Sequence, residues 1–489
     1  MLKRIVISKS KFLNLNNSFL KIFKISFLII FFSVGCVSTH YDRSEKFLFS
    51  WKIGDLDSAV IEAEELAKNG PKRDQLLYQL EEGSIKRLNG DLEGSIQSFS
   101  NVSNEYDRWF GIHLNSKKRI SEEFISTLGS AEWKPYKSRI YERVMMRYYQ
   151  ALNYLQLGHK GLARAEIFKI RQSIQDSKEI WEQELDIARK QMKKRGIDLN
   201  NGLLKSQKDP VMADINKMRS EFPSNSNKFI NPAALYLESI YFLRGGSNRD
   251  DFEKAIHTLR ELNSIYPKNQ WIKEDYNLAK SFGSSSQPVT YIFFETGRAP
   301  VRVEKRFDLP LMYFSGTSRI PYLGIAMPSL VYNDQFVQDL KVFEKEGVGE
   351  VTTQILADFD SIVSQEFESY YPLELTRAIT GSILRGGSQY IATNSIRSED
   401  ETLRTAAGVG VGLLAQAVTR ADLRCWATLP KQIKFCKIPN PPTNQLTIQG
   451  IGTNFKKKIN LTPNQTNIVT VRSISSYVSL NIVNHITIP

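Results

Sequence analysis

Three arginines recur at intervals of four residues in the segment "SRIYERVMMRYY", namely Arg139, Arg143 and Arg147. Residues four apart lie on one face of a helix, so a helix here would align three guanidinium groups. Guanidinium groups bind carboxylates and phosphates through paired hydrogen bonds. The spacing predicts one of two things: a site that binds carboxylates or phosphates of a partner, or a stripe that is solvated or internally salt-bridged, with Glu132 and Glu142 available for pairing.

A second group of polar residues lies in the segment "ADLRCWATLP", just before Pro430. Asp422 and Arg424 are spaced to form an ion pair beside Trp426, an indole that is usually buried. Two interpretations remain open. The three residues form a structural corner, or they line a cleft that binds a small ligand.

Signatures of catalysis are absent from the sequence. The five histidines are far apart, and none belongs to an H-E-x-x-H motif. There is no G-x-S-x-G nucleophile turn and no phosphate-binding P-loop. The "GVGVG" at 408–412 lies in a helical stretch rather than after a strand, which favours close helix packing over dinucleotide binding. We therefore predict a protein that is not an enzyme and that carries no metal or cofactor.

Four acidic residues between 358 and 368 could also be considered for acid–base chemistry: Asp358, Asp360, Glu366 and Glu368. They flank the apolar positions of an amphipathic helix, and this pattern favours a solvated face.

Two cysteines near the C-terminus, Cys425 and Cys436, add one further chemical possibility. An oxidising compartment would allow them to form a disulfide. The spacing alone does not decide between a disulfide and two buried free thiols.

The N-terminal segment indicates export. Six basic residues and no acidic ones precede the apolar run Ile25–Val34. As a helix extended to Val37, this run is roughly 20 Å long, short of the roughly 30 Å hydrocarbon core of a bilayer. The pattern predicts a cleaved signal peptide over residues 1–35 rather than a membrane-spanning helix.

The sequence "SVGC" at the end of this run resembles the lipobox of bacterial lipoproteins, with Ser33 where leucine is usual. The resemblance implies cleavage before Cys36, attachment of diacylglycerol to its thiol and acylation, for example with palmitate, of its amine. Acyl chains of this kind hold a protein firmly on a bilayer. Val37 and Ser38 follow without an aspartate, which implies the periplasmic face of the outer membrane. The alternative is an ordinary cysteine that follows a secretory signal.

The charge balance changes once the signal is removed. Cleavage takes away six basic residues and lowers the net charge from +13 to +7. A mild positive excess suits peptidoglycan or anionic headgroups as well as simple solubility. The sequence contains no block of basic residues interleaved with aromatics, so it gives no indication of nucleic-acid binding.

A repeated helical pattern extends from Ser44 to about Phe282. The turns at Gly54 and Gly90 are 36 residues apart, close to the 34-residue tetratricopeptide unit. Such a unit has a small residue at the turn, another five positions later where two helices cross, and often a terminal proline. Four copies are indicated by Gly54, Ala59 and Pro71; by Gly83, Gly90, Ser95 and Phe99; by Ala151, Tyr154, Gly158 and Ala163; and by Gly245, Gly246, Ser247, Ala255 and Pro267. The alternative is a set of unrelated helical hairpins that share small-residue contacts.

The pattern changes after the Gly/Ser segment "SFGSSSQPV". Runs of β-branched and aromatic residues broken by Gly297 and Pro300 predict strands. The apolar spacing from Ile355 to Phe367 predicts an amphipathic helix, a second helix is expected after Pro372, and a small-residue helix over 406–418. From Ile433 onward, alternating runs predict strands that form a sandwich-like sheet.

We therefore predict an α+β fold. Its parts are a signal peptide over 1–35, a tether over 36–43, a tetratricopeptide-like helical domain over 44–283 and a C-terminal αβ domain over 284–489. A charged insertion over about 182–226 separates the third and fourth repeats.

The order of these parts resembles an uncharacterised family of Gram-negative outer-membrane lipoproteins. The segments that suggest it are "YERVMMRYYQALNYLQLG", "NPAALYLESIYFLRGG", "ETGRAPVRVEKRFDLP" and "ADLRCWATLPKQIKF". The family supplies no activity, so the resemblance implies only placement in the envelope. A solenoid of helix pairs leaves a surface free for a partner. We predict a lipid-anchored periplasmic scaffold that binds an envelope protein; the alternative is a C-terminal domain that binds a peptidoglycan fragment or another small envelope ligand.

Overall fold

The computed structural model describes residues 39–114, 134–194, 210, 213–214, 217, 230–246, 248–282, 287–310, 322–347, 349–395 and 420–488. Cys36, most of the predicted charged insertion, the linker residues 283–286 and the predicted helix over 406–418 lie outside these ranges. By compactness the chain divides into Met1–Arg43 and Ser44–Pro489.

Helices account for the described ranges up to residue 282. They are α1 (His40–Ile53), α2 (Leu56–Asn69), α3 (Gln75–Leu88), α4 (Leu92–Leu114), α5 (Ile140–Gln156), α6 (Lys160–Lys194), α7 (Pro232–Gly245), α8 (Arg249–Ile265) and α9 (Gln270–Lys280), with a short 3₁₀ turn at Lys72–Asp74. In the described ranges, no helix is both long enough and apolar enough to span a bilayer.

Three of the helix-to-helix turns have the same backbone. Gly54, Gly90 and Gly158 take φ values of 85°, 90° and 80°, a left-handed conformation that favours glycine. Each glycine N–H donates to the carbonyl three residues earlier, and the following N–H donates to the carbonyl five residues earlier. This is the Schellman arrangement, which satisfies the last carbonyls of a helix. The repeated turn supports the predicted helix pairs.

The small residue five positions after each turn is fully buried. Ala59, Ser95 and Ala163 are all 0% exposed, as is Ala255 in the fourth pair. At the crossing of α3 and α4 the Ser95 hydroxyl donates to the carbonyl of Gly83 at 2.7 Å. Three residues separate α7 from α8, as many as separate α3 from α4 and α5 from α6, so the predicted lengthening of this turn was wrong; Gly246 there has a φ of −69°.

Strands dominate the second part. They are β1 (Val289–Thr296), β2 (Val301–Pro310), β3 (Tyr322–Val331), β4 (Leu340–Phe343), β5 (Val351–Thr352), β6 (Gln354–Asp358), β7 (Gln432–Pro439), β8 (Gln445–Gly450), β9 (Lys456–Asn460), β10 (Thr466–Ser473) and β11 (Asn481–Ile488). A five-stranded sheet has the order β11-β10-β1-β7-β6, with β1 parallel to β10 and antiparallel to β7. A four-stranded sheet has the order β5-β4-β8-β9, and β2 and β3 form a separate ribbon.

The five-stranded sheet is covered on both faces. Ile292 and Phe294 belong to a core shared with the four-stranded sheet, whereas Tyr291 and Phe293 belong to the core shared with the helices. This alternation is the period of two that a strand imposes. The sandwich-like packing and the α+β class predicted from the sequence are confirmed.

Ionic contacts join the helices to this sheet. Arg87 at the end of α3 forms a two-pronged pair with Glu295 on β1, with distances of 3.2 and 3.3 Å, and both side chains are buried. The Tyr149 hydroxyl of α5 donates to the same carboxylate at 3.2 Å. Helices and sheet therefore belong to one compact unit, Ser44–Pro489. The domain boundary at residue 283 stays a prediction.

Two local predictions were wrong. Ile355 lies in β6 rather than in a helix, because the strand pairs with β7 and the helix α10 (Phe359–Ser395) begins only after Asp358 caps it. No new helix starts at Pro372, since α10 continues through it. Tyr371, Leu373 and Leu375 on either side are buried, and their packing offsets the cost of an internal proline.

Candidate functional site

The three arginines do not form a solvent-facing row. Arg147 is 2% exposed and binds Glu166 at 2.8 Å, while Arg143 is 7% exposed and donates to the carbonyl of Ser138 at 2.8 Å. Arg139 is the N-cap of α5 and pairs instead with Glu374 on α10, at 3.4 Å. In this structure Arg143 and Arg147 serve packing within the repeats.

The segment around Trp426 is also part of the interior. Arg424 pairs with Asp422 at 2.8 Å and with Asp74 at 2.9 Å, and it is 2% exposed. Although burial alone raises the pKa of Asp422, the guanidinium groups of Arg424, Arg302 and Arg139 lower it to about 2. Trp426 is 1% exposed; its backbone N–H donates to Glu142 at 2.9 Å, and its indole N–H donates to the Thr428 hydroxyl at 3.0 Å. Of the two interpretations, a structural corner and a ligand-binding cleft, this geometry matches the structural corner.

The start of α5 is held by two buried carboxylates. Glu142 accepts hydrogen bonds from the Tyr136 hydroxyl and from the backbone of Arg139. Glu366 on α10 accepts the N–H groups of Ile140 and Tyr141 at 2.7 and 3.0 Å. Helix N-termini attract negative charge, so these contacts fix α5 against α10. The prediction of a solvated face was wrong for Glu366, because it is 3% exposed.

A small pocket lies beside this helix start. Its charged wall consists of Arg139, Arg302, Glu366 and Glu374, and its aromatic wall of Tyr141, Phe367, Tyr370 and Tyr371, with Pro328 completing it. Most of the lining residues lie on α10, with Arg302 on β2 and Pro328 on β3.

Most charged groups in this pocket already have partners. Arg139 pairs with Glu374 at 3.4 Å, and its Cζ lies 4.9 Å from the centroid of the Tyr370 ring. Burial raises the pKa of Glu366, and the two backbone N–H groups together with Arg139 oppose that shift. These groups are engaged within the protein.

Arg302 on β2 is buried beside the same pocket. It is 5% exposed, yet no described residue accepts a hydrogen bond from its Nε. Its Cζ lies 5.8 Å from the centroid of the Phe367 ring, which also lines the pocket. Asp422 is within electrostatic range, but both of its oxygens bind Arg424. Arg302 is thus a buried cation, and its Nε is enclosed within the protein.

The two cysteines are free. Cys425 and Cys436 are both buried, and no disulfide joins them. Burial raises the pKa of the Cys425 thiol to about 11 and raises that of Cys436 as well. Of the two alternatives left open by the sequence, the structure has buried thiols. Within the described ranges, no group of three or more His, Cys, Asp or Glu side chains is arranged to hold a metal ion.

Among the residues of this pocket, sequence reasoning found Arg139 but not Arg302. Arg302 lies in "VRVEKRF", where alternating charged residues resemble the exposed face of a strand. Its burial depends on α10, which packs against β3, the partner strand of β2, and places Phe367 beside Arg302; no local signal reports this.

Comparisons with known proteins give little help in assigning the chain. No family model and no curated protein matches it. A crystal structure of a tetratricopeptide repeat protein from Parabacteroides merdae is similar at 17% identity, with 49% of this chain and 98% of that chain covered and a TM-score of 0.14. A likeness this weak does not establish a common fold, so the repeat assignment rests on the glycine turns. The lipoprotein family suggested by the sequence stays a prediction.

Proposed function

We propose that this protein is a scaffold of the cell envelope that binds a protein partner through its helix pairs and is held to the outer membrane by lipid on Cys36. The helix pairs share a core with the sheet, which makes their outer faces a rigid platform. A preformed surface loses less conformational entropy on binding than a flexible one.

The observation that carries this proposal is an exposed aromatic cluster where the third and fourth helix pairs meet. Phe168 on α6 is 46% exposed, and its ring centroid lies 5.7 Å from that of the buried Phe242 on α7. Arg164 and Lys254 lie beside the Phe168 ring, with Cζ and Nζ at 5.3 and 5.8 Å from its centroid. We call Arg164, Phe168, Phe242, Asp251 and Lys254 the Phe168 cluster.

The chemistry of the Phe168 cluster fits a protein contact. Aromatic and arginine side chains are enriched among residues that dominate binding energy. Asp251 pairs with Arg164 at 2.6 Å and with Lys254 at 3.7 Å, so it orients both cations beside the ring and leaves an excess positive charge. A partner segment with an apolar side chain next to a carboxylate is complementary to this arrangement.

Phe282 provides a matched control on the same molecule. It is 47% exposed, packs edge-on against Phe252 and has the Cζ of Arg249 5.6 Å from its ring centroid. It follows α9 rather than lying between two helix pairs.

Co-purification from crosslinked envelopes tests the proposal. Full-length protein, Phe168→Ser and Phe282→Ser are recovered, and the associated proteins are quantified by mass spectrometry. We expect one reproducible partner with the unchanged chain and with Phe282→Ser, and a loss of about tenfold or more with Phe168→Ser, typical of a dominant contact residue. Equal recovery in all three would refute the role of the Phe168 cluster.

The anchor has its own test. Mass spectrometry of the native N-terminus should find Cys36 as the first residue, carrying diacylglycerol and an amide-linked acyl chain. Cys36→Ser should move the protein to the soluble periplasmic fraction, because the acyl chains are what hold it to the bilayer. A native chain that begins at Met1 contradicts this part of the proposal and leaves the Phe168 cluster untouched.

A further inference from the structure

We propose that the outer face of α1 lies against the surface of the lipid bilayer. The residues concerned are Lys46, Phe49, Lys52 and Ile53 on α1 and Tyr477 between β10 and β11, and we call them the α1 face. The inference rests on the lipid anchor proposed for Cys36 and adds a second, noncovalent contact with the membrane. It does not involve the Phe168 cluster.

The first argument is that α1 is apolar on two sides. Phe47 and Trp51 are 1% exposed and belong to a core with residues of α2 and α3. Phe49 and Ile53, one turn apart, face away from this core and are 63% and 57% exposed. A helix that is apolar on both sides is usually covered on both. The terminal helix of a solenoid normally presents a polar outer face to solvent, and α1 departs from this rule.

The second argument is that Tyr477 extends the same apolar surface. A Cβ added to Gly54, directly after α1, would lie 2.9 Å from Cγ1 of Val478, so the end of α1 contacts the turn between β10 and β11. Ile53 and Tyr477 flank this contact, and Tyr477 is 77% exposed. Tyrosine is enriched at membrane–water interfaces, where its ring and hydroxyl sit at the level of the headgroups.

The third argument concerns the charges around the α1 face. The side chain of Lys46 is 82% exposed, and its pair with Glu62 is long, at 3.6 Å, so the pair contributes little. Burial and the positive charge of Arg298 lower the pKa of Lys52, against the opposing effect of Glu45. Of these five groups three are cations and two are carboxylates. The excess of positive charge favours the anionic headgroups of a lipid surface.

The fourth argument is the length of the chain between the anchor and α1. Ser44 follows Cys36 by eight residues, which reach at most about 28 Å when fully extended. The anchor therefore keeps a bilayer, rather than a freely diffusing partner, next to the α1 face. A tethered surface meets its target at a high effective concentration, so even weak contacts hold it there.

These arguments define the mode of contact. Phe49 and Ile53 enter the boundary between headgroups and acyl chains, as the apolar face of an interfacial helix does. The ammonium groups of Lys46 and Lys52 stay among the headgroups while their aliphatic stems cover the apolar surface.

Fluorescent labels at single positions of the lipidated full-length protein test this inference. Phe49→Cys and Tyr477→Cys place an environment-sensitive label on the α1 face, and Phe282→Cys and Ile451→Cys are controls at positions 47% and 42% exposed. Cys425 and Cys436 are buried and Cys36 carries lipid, so the added thiol is the one that reacts. The protein is reconstituted in vesicles of phosphatidylethanolamine and phosphatidylglycerol. Iodide quenches labels that face water, and lipids with a nitroxide near the headgroup quench labels at the membrane surface.

We expect the labels at 49 and 477 to be quenched by the nitroxide lipids and shielded from iodide, and the labels at 282 and 451 to behave in the opposite way. Adding Phe49→Ser to the Tyr477→Cys protein should lower the ratio of shielded to accessible label about tenfold, the value of one large apolar side chain. Adding Phe282→Ser instead is the matched control and should leave this ratio unchanged.

Three results overturn the inference. Iodide reaches positions 49 and 477 as readily as the controls; or all four positions are quenched alike by the lipids; or positions 49 and 477 are shielded from iodide but not quenched by the lipids, which indicates a protein cover such as a second copy. Mass spectrometry of the same sample reads the anchor separately. Exposed labels on a lipidated chain refute the docking of α1 and leave the anchor in place, whereas an unlipidated native Cys36 refutes the anchor and this inference with it.

Discussion

The pair between Arg87 and Glu295 should control the stability of the whole compact unit. The two residues are 208 positions apart, one on a repeat helix and one on the central strand β1. Their side chains are 3% and 1% exposed, so water cannot replace a lost partner. Removing one member of such a pair leaves a buried charge and costs about 3–5 kcal/mol of unfolding free energy.

The structure also sets the size of the effect for each variant. Glu295→Leu leaves Arg87 with the Asn484 Oδ1, at 2.8 Å, as its side-chain acceptor among the described residues, while its Cζ remains 4.2 Å from the centroid of the Tyr149 ring. Arg87→Met leaves Glu295 with the Tyr149 hydroxyl. We expect each single variant to lose about 3–5 kcal/mol, and the double variant to lose less than either, because no unpaired charge remains.

Urea unfolding measured by two probes is the assay. Far-ultraviolet circular dichroism reports mainly the helices, and the fluorescence of tryptophans such as Trp426 reports the packed interior between helices and sheet. In the unchanged protein the two transitions should coincide, as expected for one cooperative unit. A loss below about 1 kcal/mol for Glu295→Leu, or single-variant costs that add in the double variant, would show that the pair does not join the two parts.

Three further predictions concern single positions. Gly90→Ala should lower the unfolding free energy by about 1–2 kcal/mol, because the left-handed φ of 90° disfavours a side chain. Gly161→Ala, in α6 where an added Cβ meets open space, should leave the unfolding free energy unchanged or raise it. Urea unfolding of the two variants measures the difference. Burial raises the pKa of Glu81 to about 7 against hydrogen bonds from Thr428 and Ala427, so the folded chain holds a proton that the unfolded chain releases near pH 4.5. Stability should therefore fall as pH rises from 4.5 to 7, by on the order of 3 kcal/mol, and a Glu81→Gln protein that keeps this slope contradicts the assignment. Cys425 and Cys436 should resist maleimide in the native Cys36→Ser protein and react on unfolding, since both thiols are buried; rapid native labelling would show that the interior opens.

Features governed by local rules could be predicted from the sequence. The turns at Gly54, Gly90 and Gly158 need a left-handed residue wherever they occur, and the following small residues are required by the helix crossing. The strands β1 and β2 were expected because Gly297 and Pro300 interrupt a β-branched run.

Features that depend on distant packing could not be predicted. Arg302 and Glu366 have surface-like neighbours in the sequence, yet α10 and β2 enclose them after folding. Pro372 predicts a break, but buried residues on both sides keep α10 continuous. The four-residue spacing of the arginines was visible in the sequence. Which of the helices α4, α6 and α10 each arginine contacts depends on tertiary packing, as in the pairs of Arg147 with Glu166 and of Arg139 with Glu374.

Site-specific photocrosslinking in intact cells tests the scaffold proposal most directly. A photoreactive phenylalanine analogue is placed at position 168 or, in a separate strain, at position 282 of the otherwise unchanged chain. We predict that position 168 forms a discrete crosslinked species with one envelope protein and that position 282 does not. Equal crosslinking at both positions, or none at position 168, would contradict the proposal that the Phe168 cluster binds a partner.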